Sequence, residues 1–123
     1  MRKKALVLDD VKLNQLTISS FLQLSGFDVD IEVDGLKGLK IISENKYDLI
    51  FSDIEMPNMN GLEFLKRVKS MDSHKNIPIV ILSSVNKQDI IDKALHLGAV
   101  SYINKPYNRE KMISALGKAG FVI

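Results

Sequence analysis

The 123-residue sequence is 26% charged and 46% hydrophobic, contains no cysteine and carries a formal net charge of +2. This length fits one domain, which buries enough surface to fold without a disulfide or metal staple. The lack of cysteine excludes a disulfide framework, a thiol nucleophile and a cysteine-ligated metal, and the small net charge argues against a nucleic-acid surface. Since the sequence has no membrane-length apolar run and no signal-peptide pattern, we expect a soluble cytoplasmic protein that uses carboxylates, hydroxyls and lysines.

Apolar residues follow two spacings along the chain, short runs typical of strands and three-to-four-residue spacing typical of helices. The first half of the chain predicts a strand at Ala5–Leu8 and an alternating edge strand at Phe27–Val33. Between them lies a helix ended by Gly26, whose helical spacing is carried by Leu13, Leu16, Thr17, Ser20, Phe21 and Leu24. After the edge strand, Asp34 is expected to cap a helix that carries Leu36, Leu39 and Ile42. The second half predicts three strands, at Leu49–Phe51, Ile77–Leu82 and Ala99–Ile103. Two helices separate these strands, the first marked by Leu62, Leu65 and Val68 and the second by Ile90, Ala94 and Leu97. A last helix is capped by Asn108, with Met112, Ile113 and Leu116 facing inward.

Five strands alternating with five helices predict one α/β domain over residues 1–123, with a parallel sheet covered on both faces and no output domain. In such a sheet, ligands bind beyond the carboxyl ends of the strands, where the strand order reverses. The residues that end the apolar runs are therefore the candidates for chemistry. Four strands deliver polar groups to this edge: Asp9 and Asp10, Asp53, Ser83 and Ser84, and Lys105.

Each of these side chains alone has an ordinary structural explanation, since an aspartate can cap a helix and a lysine usually lies in solvent. The combination is more informative. Three carboxylates at one edge repel one another and need a cation, and oxygen-only ligands suit Mg²⁺. Lysine and serine are natural partners of phosphoryl oxygens, so the set predicts a phosphoryl-transfer site with an aspartate as candidate nucleophile.

Four segments match one known family in order and in separation. Leu6–Asp10, Asp53–Gly61, Ile79–Ser84 and Lys105-Pro106 resemble the receiver domain of two-component response regulators. The resemblance covers essentially the whole chain. The family members that the chain resembles most are the single-domain chemotaxis regulators. The resemblance implies a doubly wound, flavodoxin-like fold with five helices and a five-stranded parallel sheet in the order 2-1-3-4-5, which would place the first and third strands side by side.

The resemblance implies a role for each carboxylate. Asp53 would be the phosphoacceptor and would receive a phosphoryl group from a phosphohistidine on a histidine kinase or phosphotransfer protein. Asp10, Asp53 and the backbone carbonyl of Glu55 would bind Mg²⁺, with Asp9 helping, often through water. Such a receiver is not an enzyme in the usual sense, because it catalyses only its own phosphorylation and dephosphorylation.

Other residues of the motif would complete and switch the site. Lys105 would pair with the phosphoryl oxygens, and Ser83 would hydrogen-bond to one of them. The Lys105-Pro106 bond would be cis, and Gly61 would supply turn freedom before the third helix. As the phosphoryl group attracts Ser83, Tyr102 would rotate inward in a shift between two existing populations.

A protein target is expected on the face formed by the fourth helix, the fifth strand and the fifth helix, without direct contact to nucleic acid and without membrane insertion. The side chains expected there are Ile91, Leu95, Tyr102, Asn104, Asn108, Lys111 and Lys118. For Ile91 and Leu95, simple partial burial is the alternative.

Some positions depart from the family pattern or lie outside it. We hypothesise that Glu55 and Val85 tune the lifetime of the acyl phosphate, Glu55 by orienting water or repelling phosphate and Val85 by excluding water; both could instead point to solvent. The apolar tail Phe121–Ile123 is expected to pack back on the domain or else to dock a partner. His74 and His96 have no matching ligands and are expected at the surface.

The leading functional hypothesis is a phosphoacceptor that acts by binding a target, as flagellar-motor chemotaxis regulators do. The alternative is a receiver from a hybrid kinase or a phosphorelay, which Asn14-Gln15 weakly favours. A Mg²⁺-dependent aspartyl-phosphate phosphatase would also use the Asp53-x-Glu55 motif, but the Asp9-Asp10 pair and the missing cap domain argue against it. The intact acid set argues against a receiver that works without phosphate.

Overall fold

The apolar runs form a central parallel sheet flanked by helices in the structure, a computed structural model that describes residues 2–122. Within this range the chain alternates five strands with five helices, as predicted, and none of these helices is long and apolar enough to cross a membrane. The strands are β1 Lys3–Leu8, β2 Phe27–Glu32, β3 Leu49–Ser52, β4 Ile79–Ser83 and β5 Ser101–Asn104. The helices are α1 Lys12–Leu24, α2 Gly35–Glu44, α3 Gly61–Lys69, α4 Gln88–His96 and α5 Arg109–Lys118.

The strand order is β2-β1-β3-β4-β5, and all neighbouring strands are parallel. The doubly wound, flavodoxin-like topology is therefore confirmed. The order reverses between β1 and β3, which are paired so that Leu8 lies opposite Ser52. Since both strands end at this level, Asp9 and Asp53 leave the sheet side by side, and the Asp53 amide donates to the Leu8 carbonyl at 2.9 Å.

Side chains of the central strands alternate between the two faces of the sheet and form two hydrophobic cores. The core under α2, α3 and α4 includes Leu8 and Phe64. The core under α1 and α5 includes Phe51, Leu22 and Leu116. Both faces of the sheet are thus covered, which leaves the carboxyl edge of the strands as the place where polar side chains converge.

The apolar spacing that marks α1 in the sequence does not mark its buried face. Leu13, Leu16 and Leu24 are 71%, 52% and 92% exposed, and the buried positions are instead Ile18, Ser19 and Leu22. The helix carries apolar side chains on more than one face, and Ile18 and Leu22, one turn apart, are the pair that meets the sheet. Smaller differences of the same kind concern Leu36 and Ile113, which are 51% and 38% exposed.

Two glycines that should weaken α2 are required by its packing. A Cβ at Gly38 would lie 2.8 Å from the Leu8 side chain and 2.9 Å from the Phe64 ring. A Cβ at Gly35 would lie 2.9 Å from the Met59 carbonyl oxygen. The missing side chains therefore let α2 approach both β1 and the loop that follows β3.

The chain end packs back on the domain through Phe121, as expected. Helix α5 continues to Lys118, and Gly120 adopts a φ of +96° beyond it. The Phe121 ring then makes an edge-on contact with Phe27 at a centroid distance of 5.1 Å, and its amide donates to the Leu116 carbonyl. Val122 is exposed, and Ile123 lies outside the described residues.

His74 is not the plain surface residue that we expected. It is half-buried, its Nε2 lies 2.9 Å from the Ile42 carbonyl oxygen in α2, and its Nδ1 lies 2.7 Å from the Ser73 hydroxyl. These contacts fasten the α3–β4 loop to α2, which the sequence spacing could not reveal. His96 is exposed, as expected.

Candidate functional site

The ends of β1 and β3 bring three carboxylates together. Asp9, Asp10 and Asp53 each offer an oxygen within 4.8 Å of the others. Asp9 and Asp53 are only 1% and 8% exposed, whereas Asp10 is open to solvent. Like charges this close repel one another, and a cation among them would offset that repulsion. The predicted meeting of the acids from the first and third strands is thus present in the structure.

Lys105 reaches this cluster from the segment that follows β5. Its Nζ lies 3.2 Å from Asp9 Oδ2 and 3.1 Å from Asp53 Oδ2. Burial alone would lower the pKa of Lys105, but the Asp53 and Asp9 carboxylates outweigh burial and raise the pKa above its usual value. The ammonium group therefore stays charged at neutral pH. The Lys105-Pro106 peptide bond is cis, as the resemblance implied.

The start of α1 fixes the orientation of Asp9. The Val11 amide donates to Asp9 Oδ1 at 2.9 Å, and the Gln15 side-chain amide donates to the Asp9 carbonyl at 2.6 Å. Asn14 Nδ2 lies 3.5 Å from Asp9 Oδ1. These supporting contacts were not predicted. Their only signal in the sequence is the presence of two amide side chains in the first turn after the acid pair.

Gly61 supports Asp53 in a way that differs from the prediction. It is the first residue of α3, and its amide donates to the Ile54 carbonyl at 2.8 Å. A Cβ at this position would lie 1.9 Å from the Asp53 carbonyl oxygen. Glycine is therefore required for the close approach of two backbone segments, whereas turn freedom was the expected reason. Asp53 Oδ1 in turn accepts from the Ile54 amide at 2.6 Å.

The end of β4 places the predicted hydroxyl and links it to β5. Ser83 is buried, and its Oγ accepts from the Val85 amide at 3.2 Å. The Val85 carbonyl accepts both from the Tyr102 hydroxyl at 2.5 Å and from Asn104 Nδ2 at 2.9 Å. Burial raises the pKa of Tyr102, while the nearby Ser83 hydroxyl opposes this effect. The half-buried Tyr102 thus already contacts the loop that follows Ser83.

Glu55 and Val85 line the same groove, which has a volume of about 520 Å³ and lies between the β3–α3 and β4–α4 loops. Glu55 is exposed and Val85 is half-buried. Ile54, next to Asp53, also lines this groove. Glu55 and Val85 therefore share a groove that adjoins the β3 end of the site.

Four of the residues expected at the partner face line one groove. A groove of about 390 Å³ between β5 and α5 is lined by Tyr102, Asn104, Lys111 and Lys118 among others. Asn108 caps α5 by accepting from the Lys111 amide at 2.9 Å. On α4, Ile91 is half-buried and Leu95 is 44% exposed. The groove thus carries charged side chains of both signs, and α4 adds the exposed Leu95.

Comparisons with known proteins agree with this geometry. The family model of the response regulator receiver domain matches residues 5–117. The probable chemotaxis protein CheY of Rhizobium etli is 33% identical over 92% of this chain and 88% of its own. The sporulation initiation phosphotransferase F of Bacillus subtilis is 29% identical over 96% and 94%. The chemotaxis response regulator CheY4 of Vibrio cholerae superposes with a TM-score of 0.87 and 29% identity, over 97% of this chain and 99% of that one.

Other relatives are longer than the matched region. The chain spans 53% of the length of the probable transcriptional regulator ycf29 of Porphyra purpurea, to which it is 32% identical. In both kinds of relative the similarity extends over at least 90% of this chain. The family match from residue 5 to residue 117 encloses the whole acid cluster and Lys105. The chain therefore belongs to the response regulator receiver domains of two-component signalling.

Proposed function

We propose that Asp53 is the phosphoacceptor and that its phosphoryl group comes from a phosphohistidine on a histidine kinase or phosphotransfer protein. The observation that supports this most is the position of Lys105, whose Nζ lies between Asp9 and Asp53 at 3.2 and 3.1 Å. A fixed ammonium at this place would stabilise the negative charge on a phosphoryl group in transfer.

In the proposed step, a carboxylate oxygen of Asp53 forms a bond to phosphorus while the bond from phosphorus to the histidine nitrogen breaks. The electron pair of that bond stays on the imidazole, and the product is an acyl phosphate on Asp53. Lys105 would hold a phosphoryl oxygen, and the Ser83 hydroxyl, whose oxygen accepts from the Val85 amide, would donate its proton to another.

The donor set fits Mg²⁺. Three carboxylates opposed by one ammonium leave an excess of negative charge, and all the ligands are oxygens. Asp10, Asp53 and the backbone carbonyl of Glu55 would hold the ion, with Asp9 helping through water. When bound, Mg²⁺ would neutralise charge on the phosphoryl oxygens. The exposed Asp10 side gives such an ion an entry path.

Mass measurement tests the proposal directly. The chain is incubated with a small acyl-phosphate donor and Mg²⁺, and its intact mass is compared with that of Asp53→Asn. We expect one added phosphoryl group on the wild type and none on the variant, with no labelling in the presence of a chelator. Equal labelling of both proteins, or labelling of neither, would contradict the assignment of Asp53.

We further propose that phosphorylation changes the α4-β5-α5 face and so its affinity for a protein target, in the manner of a chemotaxis regulator. The Tyr102 and Asn104 bonds to Val85 support this, because they join the β4–α4 loop at the site to that face. A role as a phosphorelay intermediate is the alternative, favoured by the similarity to a sporulation phosphotransferase. Transfer of the phosphoryl group from Asp53 onward to a second phosphotransfer protein would favour the relay. Turnover of an added phosphomonoester would instead indicate a phosphatase.

The proposed tuning of the phosphate lifetime by Glu55 and Val85 gives a separate prediction. Removing a water-orienting carboxylate should slow hydrolysis, so Glu55→Ala is expected to lengthen the lifetime of the acyl phosphate. Removing an apolar side chain that excludes water should have the opposite effect, so Val85→Ala is expected to shorten it. Loss of the added mass over time, measured for both variants, checks this. Hydrolysis rates equal to that of the wild type would mean that neither side chain affects the lifetime of the acyl phosphate.

A further inference from the structure

Asp34, at the junction of β2 and α2, is a buried carboxylate with two different tasks. It is 1% exposed, and its Oδ1 accepts from the Lys37 amide at 2.8 Å, which is the helix cap that the sequence predicts. Its Oδ2 accepts from the Asn58 side-chain amide at 2.8 Å. The Lys37 bond is the main cause of a lowered pKa at Asp34 and, with Asn58 helping, outweighs burial. The carboxylate is therefore ionised at neutral pH and holds both donors.

Asn58 belongs to the β3–α3 loop, residues 53–60, which begins at Asp53 and contains Glu55. Its φ is +65°, the left-handed region that asparagine tolerates better than most residues. This conformation turns the loop back toward α2. The bond from Asn58 to Asp34 therefore connects two segments that are 24 residues apart in the sequence.

A second contact reinforces the same junction. The Gly35 amide donates to the Met59 carbonyl at 3.1 Å, and a Cβ at Gly35 would lie only 2.9 Å from that oxygen. The two ends of the loop are joined to each other by the bond from the Gly61 amide to the Ile54 carbonyl. Glu55 thus lies in a short segment with one end fixed at Asp53 and the other fixed against α2.

We propose that Asp34 and Asn58 are positioning residues of the cation site, because by holding the β3–α3 loop against the start of α2 they set the place of the Glu55 carbonyl and hence the affinity for a divalent cation. This inference rests on the proposed function. It goes beyond helix capping, since the cap uses one oxygen of Asp34 and the loop uses the other. Neither residue touches the cation, and both act through the backbone of the loop.

The test uses three variants of the whole chain. Asn58→Gly keeps the backbone freedom at φ +65° and deletes only the amide that donates to Asp34. The double variant Asp34→Asn with Asn58→Asp exchanges donor and acceptor and leaves the net charge unchanged. Asn45→Gly is the matched control, because its side chain lies at the far end of α2, where it donates to the Ile41 carbonyl and accepts from Lys4 Nζ at 3.5 Å, and has no contact with the β3–α3 loop. Titration calorimetry with Mg²⁺ alone gives the dissociation constant of each protein.

Loss of an outer-shell partner typically weakens metal binding by a factor of ten or more, so we expect Asn58→Gly to raise the Mg²⁺ dissociation constant about tenfold. The exchange variant should recover most of this loss, and the control should bind like the wild type. Hydrogen exchange without metal should show a faster Gly35 amide in Asn58→Gly, because its Met59 partner is released. This second measurement reports on the loop alone.

The outcomes separate the inference from the proposed function. If the wild type binds Mg²⁺ and Asn58→Gly binds it within about twofold, the positioning role is wrong while the proposed function stands. An equal loss in the Asn45→Gly control would also overturn the role, since the effect would then be general. Failure of the wild type to bind Mg²⁺ and to take a phosphoryl group would overturn both. Should Asn58→Gly not fold, the exchange variant decides the matter, since it must bind Mg²⁺ nearly as the wild type does.

Discussion

At the scale of residues, the site is assembled from charges that destabilise one another. Asp9, Asp10 and Asp53 crowd within 4.8 Å, and Lys105 pairs with only two of them. Asp10 is the exposed member and has no part in that pairing. A cluster of this kind favours function at the expense of the stability of the metal-free protein.

Neutralising Asp10 should therefore stabilise the metal-free chain. We expect Asp10→Asn to raise the free energy of unfolding by about 0.5 kcal/mol in chelator, because an exposed charge contributes little, and to weaken Mg²⁺ binding. Urea unfolding with and without Mg²⁺ measures both effects. In saturating Mg²⁺ the order of stability should reverse, since only the wild type keeps the ligand. A variant less stable than the wild type in chelator would contradict the role of repulsion.

The acids were predictable because the ends of parallel strands converge at one edge, so sequence position alone places Asp9, Asp10 and Asp53 together. The residues that orient them were not. The Gln15 side chain donates to the backbone carbonyl of Asp9, and the Asn58 side chain donates to the Asp34 carboxylate from a distant part of the sequence. Such contacts depend on where a loop turns back, and spacing along the chain carries no information about that.

At the scale of elements, α1 shows how periodicity can fail. The spacing of the leucines in α1 marks a face that includes Leu13, which is 71% exposed. The residue that is fully buried is Leu22, which lies outside that face. Spacing identifies a helix with an apolar face, but the sheet selects which face by the register of the preceding loop. A helix that carries apolar residues on more than one face therefore leaves its orientation open.

Substitution to alanine distinguishes the two faces of α1. Leu22→Ala is expected to lower the free energy of unfolding by about 3 kcal/mol, because it leaves a cavity between α1 and the sheet. Leu13→Ala should change it by less than about 0.5 kcal/mol, since the side chain is largely in solvent. Denaturant unfolding of both variants is the measurement. Comparable losses in the two variants would mean that Leu13 is packed as well as Leu22.

Two glycines at helical positions should respond in opposite directions. In α5 a Cβ at Gly117 meets nothing within 4 Å, so Gly117→Ala should raise the free energy of unfolding by about 1 kcal/mol. In α3 a Cβ at Gly61 would lie 1.9 Å from the Asp53 carbonyl, so Gly61→Ala should lower it by more than about 2 kcal/mol. Thermal or urea unfolding checks the signs. A stable Gly61→Ala with normal Mg²⁺ binding would show that the close approach is dispensable.

At the scale of the whole molecule, the sheet order determines what the site can be. Alternating patterns predicted a parallel sheet, whereas the order 2-1-3-4-5 came from the resemblance and is confirmed. Periodicity cannot rank neighbouring strands, because each central strand is equally apolar on both faces. Once β1 and β3 are neighbours, one edge of the sheet carries the acids, and the Val85 carbonyl connects that edge to β5 through Tyr102.

The three tyrosines report on the fold as a unit at alkaline pH. Burial is the main cause that raises the pKa of Tyr47, Tyr102 and Tyr107 above 10.0, and at Tyr47 the hydrogen bond to Asp30 adds to it. The unfolded chain therefore loses its phenolic protons at a lower pH than the folded one. Lys105, whose pKa is also raised, acts in the same direction, whereas burial lowers the pKa of Lys69, which acts in the opposite one.

The contribution of these phenols to the free energy of unfolding should consequently be constant below about pH 10. Above about pH 10 the free energy of unfolding should fall, because the unfolded state then binds fewer protons than the folded state. The chain has no tryptophan, so phenolate absorbance reports on the tyrosines without interference. We expect the native protein to titrate later than the same protein in concentrated urea. In Tyr47→Phe one buried phenol is gone, so its stability should decline less steeply with pH. Native and unfolded titrations that coincide near pH 10 would mean that the phenols are solvated in the fold, against the 6% exposure of Tyr47 and its bond to Asp30.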